Sequence, residues 1–239
     1  MPLIRTGRPA TLAPNGIVTS PHSLASAAGV DVLRAGGSAI DAAIATSAAL
    51  SVLYPHMTGV GGDAFWLIWD AKAKQVRYLD GGGRAAQGGT VEAFARRGLT
   101  EVPYRGPLPA TLTVPGAVAS WSEAHAAYGR LPLARCLESA IGYARDGFPV
   151  TERMANWREV ARSELEKCPH ASAIFLKDGR VLRNPDLART LEAVAADGRA
   201  GFYEGEVAAE LVRYARTHDG FFAEADLAAQ TARWEEPLK

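Results

Sequence analysis

From Ser20 to Arg84 the chain reads SPHSLASAAGVDVLRAGGSAIDAAIATSAALSVLYPHMTGVGGDAFWLIWDAKAKQVRYLDGGGR. Ser20 before Pro21 predicts a helix start, with the hydroxyl as cap and proline in the first turn. Leu24, Ala28 and Val32 recur at helical spacing, and Gly36-Gly37 ends the element. Ser38 and Asp41 have the spacing of a capping box, with Asp in place of the usual Glu, and open a second helix. That helix, Ala39 to Leu53, is apolar on nearly every face and must therefore be covered on all sides. Phe65 to Trp69 is an unbroken apolar run, which predicts a strand covered on both faces. Asp70 to Lys74 makes a turn, Gln75 to Leu79 a return strand, and the hairpin mouth is a triple glycine, Gly81-Gly82-Gly83. So much glycine there requires the backbone to come close to another segment or to a small ligand.

Working outward, residues 1–15 are rich in proline and basic side chains and read as an extended arm, followed by a short strand at Gly16–Ser20. Downstream, helical patterns cover residues 90–97, 116–128, 133–145, 151–166, 185–196, 204–217 and 224–230. Gly129, Gly147, Gly198 and Gly220 punctuate them. The segment Thr111, Thr113, Val114-Pro115-Gly116 reads as a helix start in which glycine permits close packing. The pattern is one α+β domain over residues 1–239, a helical layer laid on a sheet begun by the first 80 residues.

A chain of 239 residues with 48% hydrophobic and 22% charged residues can bury a sizeable core. Its formal net charge of zero gives no electrostatic case for nucleic acid or an anionic membrane. No run of about 18 apolar residues predicts a membrane span, and no signal-peptide pattern opens the chain, so the expectation is a cytoplasmic protein. Cys136 and Cys168 have no metal-type spacing and read as two reduced thiols.

The best candidate for chemistry is Asp80-Gly81-Gly82-Gly83-Arg84. An arginine on a loop nearly free of side chains suits bidentate capture of a carboxylate, so Gly82, Gly83 and Arg84 are the candidate substrate-binding residues. The competing role for Arg84 is a surface ion pair. Gly59 to Ala64 formally satisfies the dinucleotide pattern, but it follows a helix and opens a strand, the reverse of what that fingerprint requires. Gly61 and Gly62 read instead as a tight turn under a pocket. His56, just before that turn, could line the pocket mouth or make a structural hydrogen bond. His22, His56, His125, His170 and His218 show no zinc-ligand spacing, and no GxSxG elbow occurs; no metal and no cofactor are expected.

These strings in this order, DVLRAGGSAIDAAIATSAALSVLYPHMTGVGGDAFWLI, LDGGGRA, TLTVPGAVASWSEAHAAYGRLPL, ARDGFPV and GFYEGEVAAELV, resemble the large subunit of gamma-glutamyltranspeptidases along nearly the whole chain. The resemblance implies the four-layer αββα sandwich of the N-terminal-nucleophile hydrolases, of which this chain supplies a helical layer and part of the central sheets. It also implies a precursor that cuts itself, a small subunit whose new N-terminal threonine attacks an amide with its own amine as base, and a dimer of such heterodimers. The nucleophile and the oxyanion donors are expected outside this chain, which should be inactive alone. Gamma-glutamyl compounds such as glutathione are the default substrate by resemblance. In the family's glutamyl enzymes the matching stretch resembles D-F-R-E, its arginine two places after the aspartate and clamping the substrate's α-carboxylate. Here Gly82 holds that place, Gly83 replaces the acidic neighbour, and Arg84 comes two residues later. In extended chain that moves the side chain by roughly 6–7 Å along the same face. The departure brings forward a second enzyme reading, an oxamate amidohydrolase or a cephalosporin-acylase-like hydrolase. A third, of another class, is a non-catalytic paralogue kept as a binding or scaffold protein.

Overall fold

The computed structural model describes residues 10–102 and 112–238; Thr111 and residues 1–9 of the expected arm lie outside them. Its two opening helices are α1 (Ser23–Arg34) and α2 (Ala39–Leu53), followed by a hairpin of β1 (Ala64–Asp70) and β2 (Gln75–Gly81). Then come α3 (Val91–Arg96), α4 (Ala117–Tyr128), α5 (Leu133–Asp146), β3 (Phe148–Pro149), α6 (Glu152–Leu165), α7 (Pro169–Phe175) and β4 (Val181–Leu182). The chain closes with α8 (Pro185–Asp197), α9 (Ala200–Tyr203), α10 (Gly205–Thr217), α11 (Glu224–Ala228) and β5 (Arg233–Glu235).

The capping box at α2 forms as expected. Ser38 Oγ accepts from Asp41 N at 3.1 Å, and Asp41 Oδ2 accepts from Ser38 N at 2.8 Å. The all-apolar α2 is the central helix, packed against α1, α4 and α5. Ile44, Ala45, Ala48, Ala49, Val52 and Leu53 are buried along it. Helix α1, by contrast, starts three residues later than Ser20: its cap is His22, whose Nδ1 accepts from Leu24 N at 3.3 Å. Ser20 Oγ instead meets the His22 carbonyl at 2.9 Å and Ser26 Oγ at 2.8 Å, and accepts from His22 N at 3.4 Å, ahead of the helix. Residues 16–20 form no strand, because nothing among the described residues offers them a ladder.

The larger sheet has the order β1-β2-β5, antiparallel throughout, with Trp66 opposite Leu79 and Leu79 opposite Trp234, and β3 and β4 pair in a second, two-stranded sheet. Helix α4 covers the face that carries those residues. Trp66 Nε1 donates to Ser120 Oγ at 3.0 Å, Trp234 Nε1 donates to Glu123 Oε1 at 2.8 Å, and Leu79 is fully buried.

The expectation that β1 is covered on both faces does not hold in this chain. Phe65, Leu67 and Trp69 are 63%, 74% and 63% exposed, while Ile68 between the last two is buried. Side chains alternate across a strand, and α4 serves only one face; what the apolar run specified is a second cover that the described residues do not supply. An open apolar face of this kind drives association. Residues 1–239 expressed alone are therefore expected to self-associate, read by light scattering on the size-exclusion peak; a monodisperse, cooperatively melting monomer would contradict this.

Candidate functional site

The site is built where the hairpin mouth crosses the start of α4. Gly81 ends β2 opposite Ala64, and a Cβ on it would lie 2.4 Å from the Ala64 carbonyl oxygen and 2.5 Å from Ser120 Cβ. A Cβ on Gly116 would lie 2.0 Å from the Gly81 carbonyl oxygen, and one on Gly83 would lie 1.9 Å from that of Val114. These glycines let two backbones touch, which meets the first of the two reasons for glycine at the mouth. Each crossing is fastened by hydrogen bonds: Val114 N donates to the Arg84 carbonyl at 2.8 Å, and Gly116 N and Ala117 N both donate to the Gly62 carbonyl at 2.9 Å. Gly62 thus serves the first turn of α4, satisfying N–H groups that a helix start leaves free. Gly61 is exposed on the same turn, and a Cβ there would meet nothing within 4 Å.

Beyond Gly81 the chain leaves the strand, so the two-residue displacement of the arginine does not become a straight offset along one face. Gly82 N donates to Asp80 Oδ1 at 2.8 Å, and Gly83 N to Asp63 Oδ1 at 2.8 Å. The hydrogen bond from Gly82 and, to a lesser degree, the Arg233 guanidinium at 3.1 Å hold the Asp80 carboxyl below its ordinary range. Gln230, 2% exposed, closes the loop from behind, its Nε2 donating to the Gly82 carbonyl at 3.2 Å. Asp226 adds a second tie through its Oδ1, which accepts from Gln87 N at 2.9 Å. Arg84 itself is exposed and makes no ion pair among the described residues, so the competing surface-pair role is not what the structure shows. An exposed guanidinium on a backbone tied down at four points has the chemistry to pair with a carboxylate.

His56 is brought elsewhere. Its ring packs against Tyr54 (centroids 4.1 Å apart) and stacks on Trp157 of α6 at 5.5 Å, and neither ring nitrogen has a hydrogen-bond partner. It lines a pocket with α6 and α7, and Arg84, Gly82 and Gly83 do not. The structural hydrogen bond considered for it is not made.

Sequence reasoning missed Asp63, Gln230 and Tyr203. Tyr203 Oη donates to the Pro115 carbonyl at 2.7 Å and accepts from Ala119 N at 3.1 Å, pinning the start of α4, and burial pushes its phenol up to about 12. Only Asp63 carried a signal, as a carboxylate beside the Gly61-Gly62 turn. The other two act across 84 to 148 residues.

Spacing also missed a buried cluster. A carboxylate oxygen of Asp41, a ring nitrogen of His125 and Cys136 Sγ lie within 4.8 Å of one another. Hydrogen bonding accounts for most of it: Asp41 Oδ2 accepts from Ser38 N, from Arg130 N at 2.9 Å and from Leu131 N at 3.3 Å, and His125 Nε2 donates to the Leu131 carbonyl at 2.7 Å. It is a clasp that fastens the α4–α5 turn onto the first turn of α2.

The family model described as gamma-glutamyltranspeptidase matches residues 25–239. The chain is 41% identical over 235 residues to an oxamate amidohydrolase proenzyme of Klebsiella pneumoniae, covering 94% of this chain and 44% of that protein. It is 38% identical over 228 residues to a glutathione hydrolase-like YwrD proenzyme of Bacillus subtilis, covering 93% and 43%. Among solved structures, Helicobacter pylori gamma-glutamyltranspeptidase superposes with a TM-score of 0.87 at 30% identity, covering 96% of this chain and 68% of that one. The chain therefore spans a little over two fifths of the curated relatives it matches. Its fold is the α+β fold of those solved enzymes, to which the described residues contribute helices and two sheets, of three and two strands.

Proposed function

The chain belongs to the gamma-glutamyltranspeptidase family, and from that premise we propose that it is the N-terminal part of the large subunit of a self-processing amidohydrolase. Its partner is the small subunit released from the same precursor, whose N-terminal threonine hydroxyl attacks the amide carbon. The amine leaves, and water or an acceptor amine takes the acyl group from the threonine. This chain's contribution is to bind and orient: Arg84 pairs with the substrate carboxylate, and the tied loop behind it holds that carboxylate at a fixed distance from the scissile bond. The observation that carries the reading is the free guanidinium of Arg84 on a loop anchored by Asp63, Asp80, Gln230 and Val114. The bare sheet face of Phe65, Leu67 and Trp69 supports a large apolar partner on the other side.

Two substrate classes compete, and one observation favours the smaller. The loop has no acidic residue after its arginine, and a relative named for oxamate is 41% identical. Oxamate puts its carboxylate directly beside the amide, so the clamp must sit nearer the nucleophile than it does for a γ-glutamyl amide. The test uses the full-length, processed protein with a γ-glutamyl anilide and with oxamate, in wild type and in Arg84→Ala. The expected result is ammonia release from oxamate, reduced at least ~100-fold in the variant, the range expected when a group that orients the substrate is lost. Glutamyl turnover that depends equally on Arg84 would assign the glutathione class. A precursor that never cleaves itself would end the enzyme reading and leave the non-catalytic one.

A further inference from the structure

The pocket that holds His56 is not used by the amidase reading, and its chemistry is specific. It has a volume of about 210 Å³ and is lined by Pro55, His56, Met154, Trp157, Arg158 and Phe175, with Ala161 and Leu165. The walls are apolar except for two groups. Both ring nitrogens of His56 and Nε of Arg158 are buried there without a hydrogen-bond partner. Arg158 makes no ion pair with any described residue, whereas Arg162, one turn further along α6, pairs with Glu159. Burial pushes the Arg158 guanidinium down from its ordinary range, and burial, helped by the charge of Arg153, does the same to the His56 imidazole. Arg158 is half-buried with its Nε turned away from water and unpartnered, and an anion accepting from that Nε would offset part of the burial cost.

We propose that this pocket binds a small monocarboxylate carrying one aromatic or branched aliphatic group. The carboxylate meets Arg158 and the imidazole of His56, and the apolar body lies among Trp157, Met154 and Phe175. The size is right: an apolar cavity of about 150 Å³ accepts benzene, so about 210 Å³ accepts a ring and a carboxylate together. Trp157, which stacks on His56, lines the pocket beside Met154 and Phe175, and together they give the ligand's body an apolar wall. His56 belongs to the segment between α2 and the Gly62 turn that fastens α4. Occupancy would therefore bear on the segment that also anchors the Arg84 loop through Asp63.

The test is equilibrium dialysis of phenylacetate against the full-length, processed protein, with phenylacetamide as its neutral partner. One saturable site is expected, preferring the acid by at least tenfold. Arg158→Met should remove that preference while leaving the amide's affinity, and Trp157→Ala should weaken both. Arg84→Ala should leave phenylacetate binding unchanged. Absence of saturable binding, equal affinity for acid and amide in the wild type, or loss of the site in Arg84→Ala would each overturn the proposal. The wild-type comparison decides even if Arg158→Met folds poorly.

Discussion

Asp41→Ala should remove about 3 kcal/mol or more of stability from the full-length protein, read as a lowered urea midpoint at unchanged slope. The carboxylate is fully buried, and its Oδ2 accepts from Ser38 N, Arg130 N and Leu131 N. Deleting it leaves three backbone donors without a partner and a void at the first turn of the central helix. Asp41→Asn keeps the shape and one acceptor, so it should lose less, and the order of the two variants is part of the prediction. Burial alone would raise this carboxyl's pKa, but the hydrogen bonds from Ser38, Arg130 and Leu131 outweigh it and hold it low. A native pKa below the unfolded value, near ~3.9, means that the stabilisation is present above about pH 4 and fades as pH falls through the native value. Asp41→Asn should therefore flatten the acid limb of the stability curve. The neighbouring Cys136 thiol, pushed up to about 12 by burial and then by the Asp41 charge, stays protonated throughout this range. A midpoint for Asp41→Ala within ~0.5 kcal/mol of wild type would show that the clasp is incidental.

The second large effect is at Gly83. An added methyl would sit 1.9 Å from the Val114 carbonyl oxygen and 2.8 Å from Thr113 Oγ1. The first of these is backbone, so the strand mouth and the start of α4 must separate, and the 2.8 Å bond from Val114 N to the Arg84 carbonyl goes with them. Gly83→Ala is expected to cost at least ~2 kcal/mol and, in whatever still folds, to lose as much turnover as Arg84→Ala. Gly82→Ala is the control. Its Cβ would meet Asp80 Oδ1 at 2.9 Å, the end of a side chain and not backbone, so the loop gives up at most the Gly82–Asp80 bond and should lose clearly less stability than Gly83→Ala. Equal behaviour of the two variants, in thermal melts and in oxamate or glutamyl turnover, would refute this account of the loop.

Local rules carried much of this fold. The Ser38–Asp41 box, the apolar helix behind it, the hairpin and most of the later helices announce themselves through caps, periodicity and stop glycines within a few residues. What stayed hidden depends on partners far away. Ser20 looked like a cap because the rule counts hydroxyls, and it could not register that Ser26 and the His22 carbonyl would claim this one. The strand β5 is three residues long and takes its identity from β2, and α9 is a single turn fixed by its neighbours. The run Phe65–Trp69 was correctly apolar, but a run of letters does not say which face is covered by the same chain. In the site, Arg84 and its glycines stood out, whereas Gln230 and Tyr203 had no local pattern to mark them.

The tie from Gln230 to Gly82 spans 148 residues, and the consequence is one of timing. Helices α1 and α2 and the hairpin are local and can form as soon as they leave the ribosome. The loop that presents Arg84 cannot be closed from behind until Gln230 has been made. At roughly 5–20 residues per second that is a delay of about 7–30 s. Contacts of such separation also form late in refolding, because the intervening chain must first be brought together. During synthesis Arg84 is thus exposed on an untied loop, and the backbone geometry around it is among the last features the chain acquires.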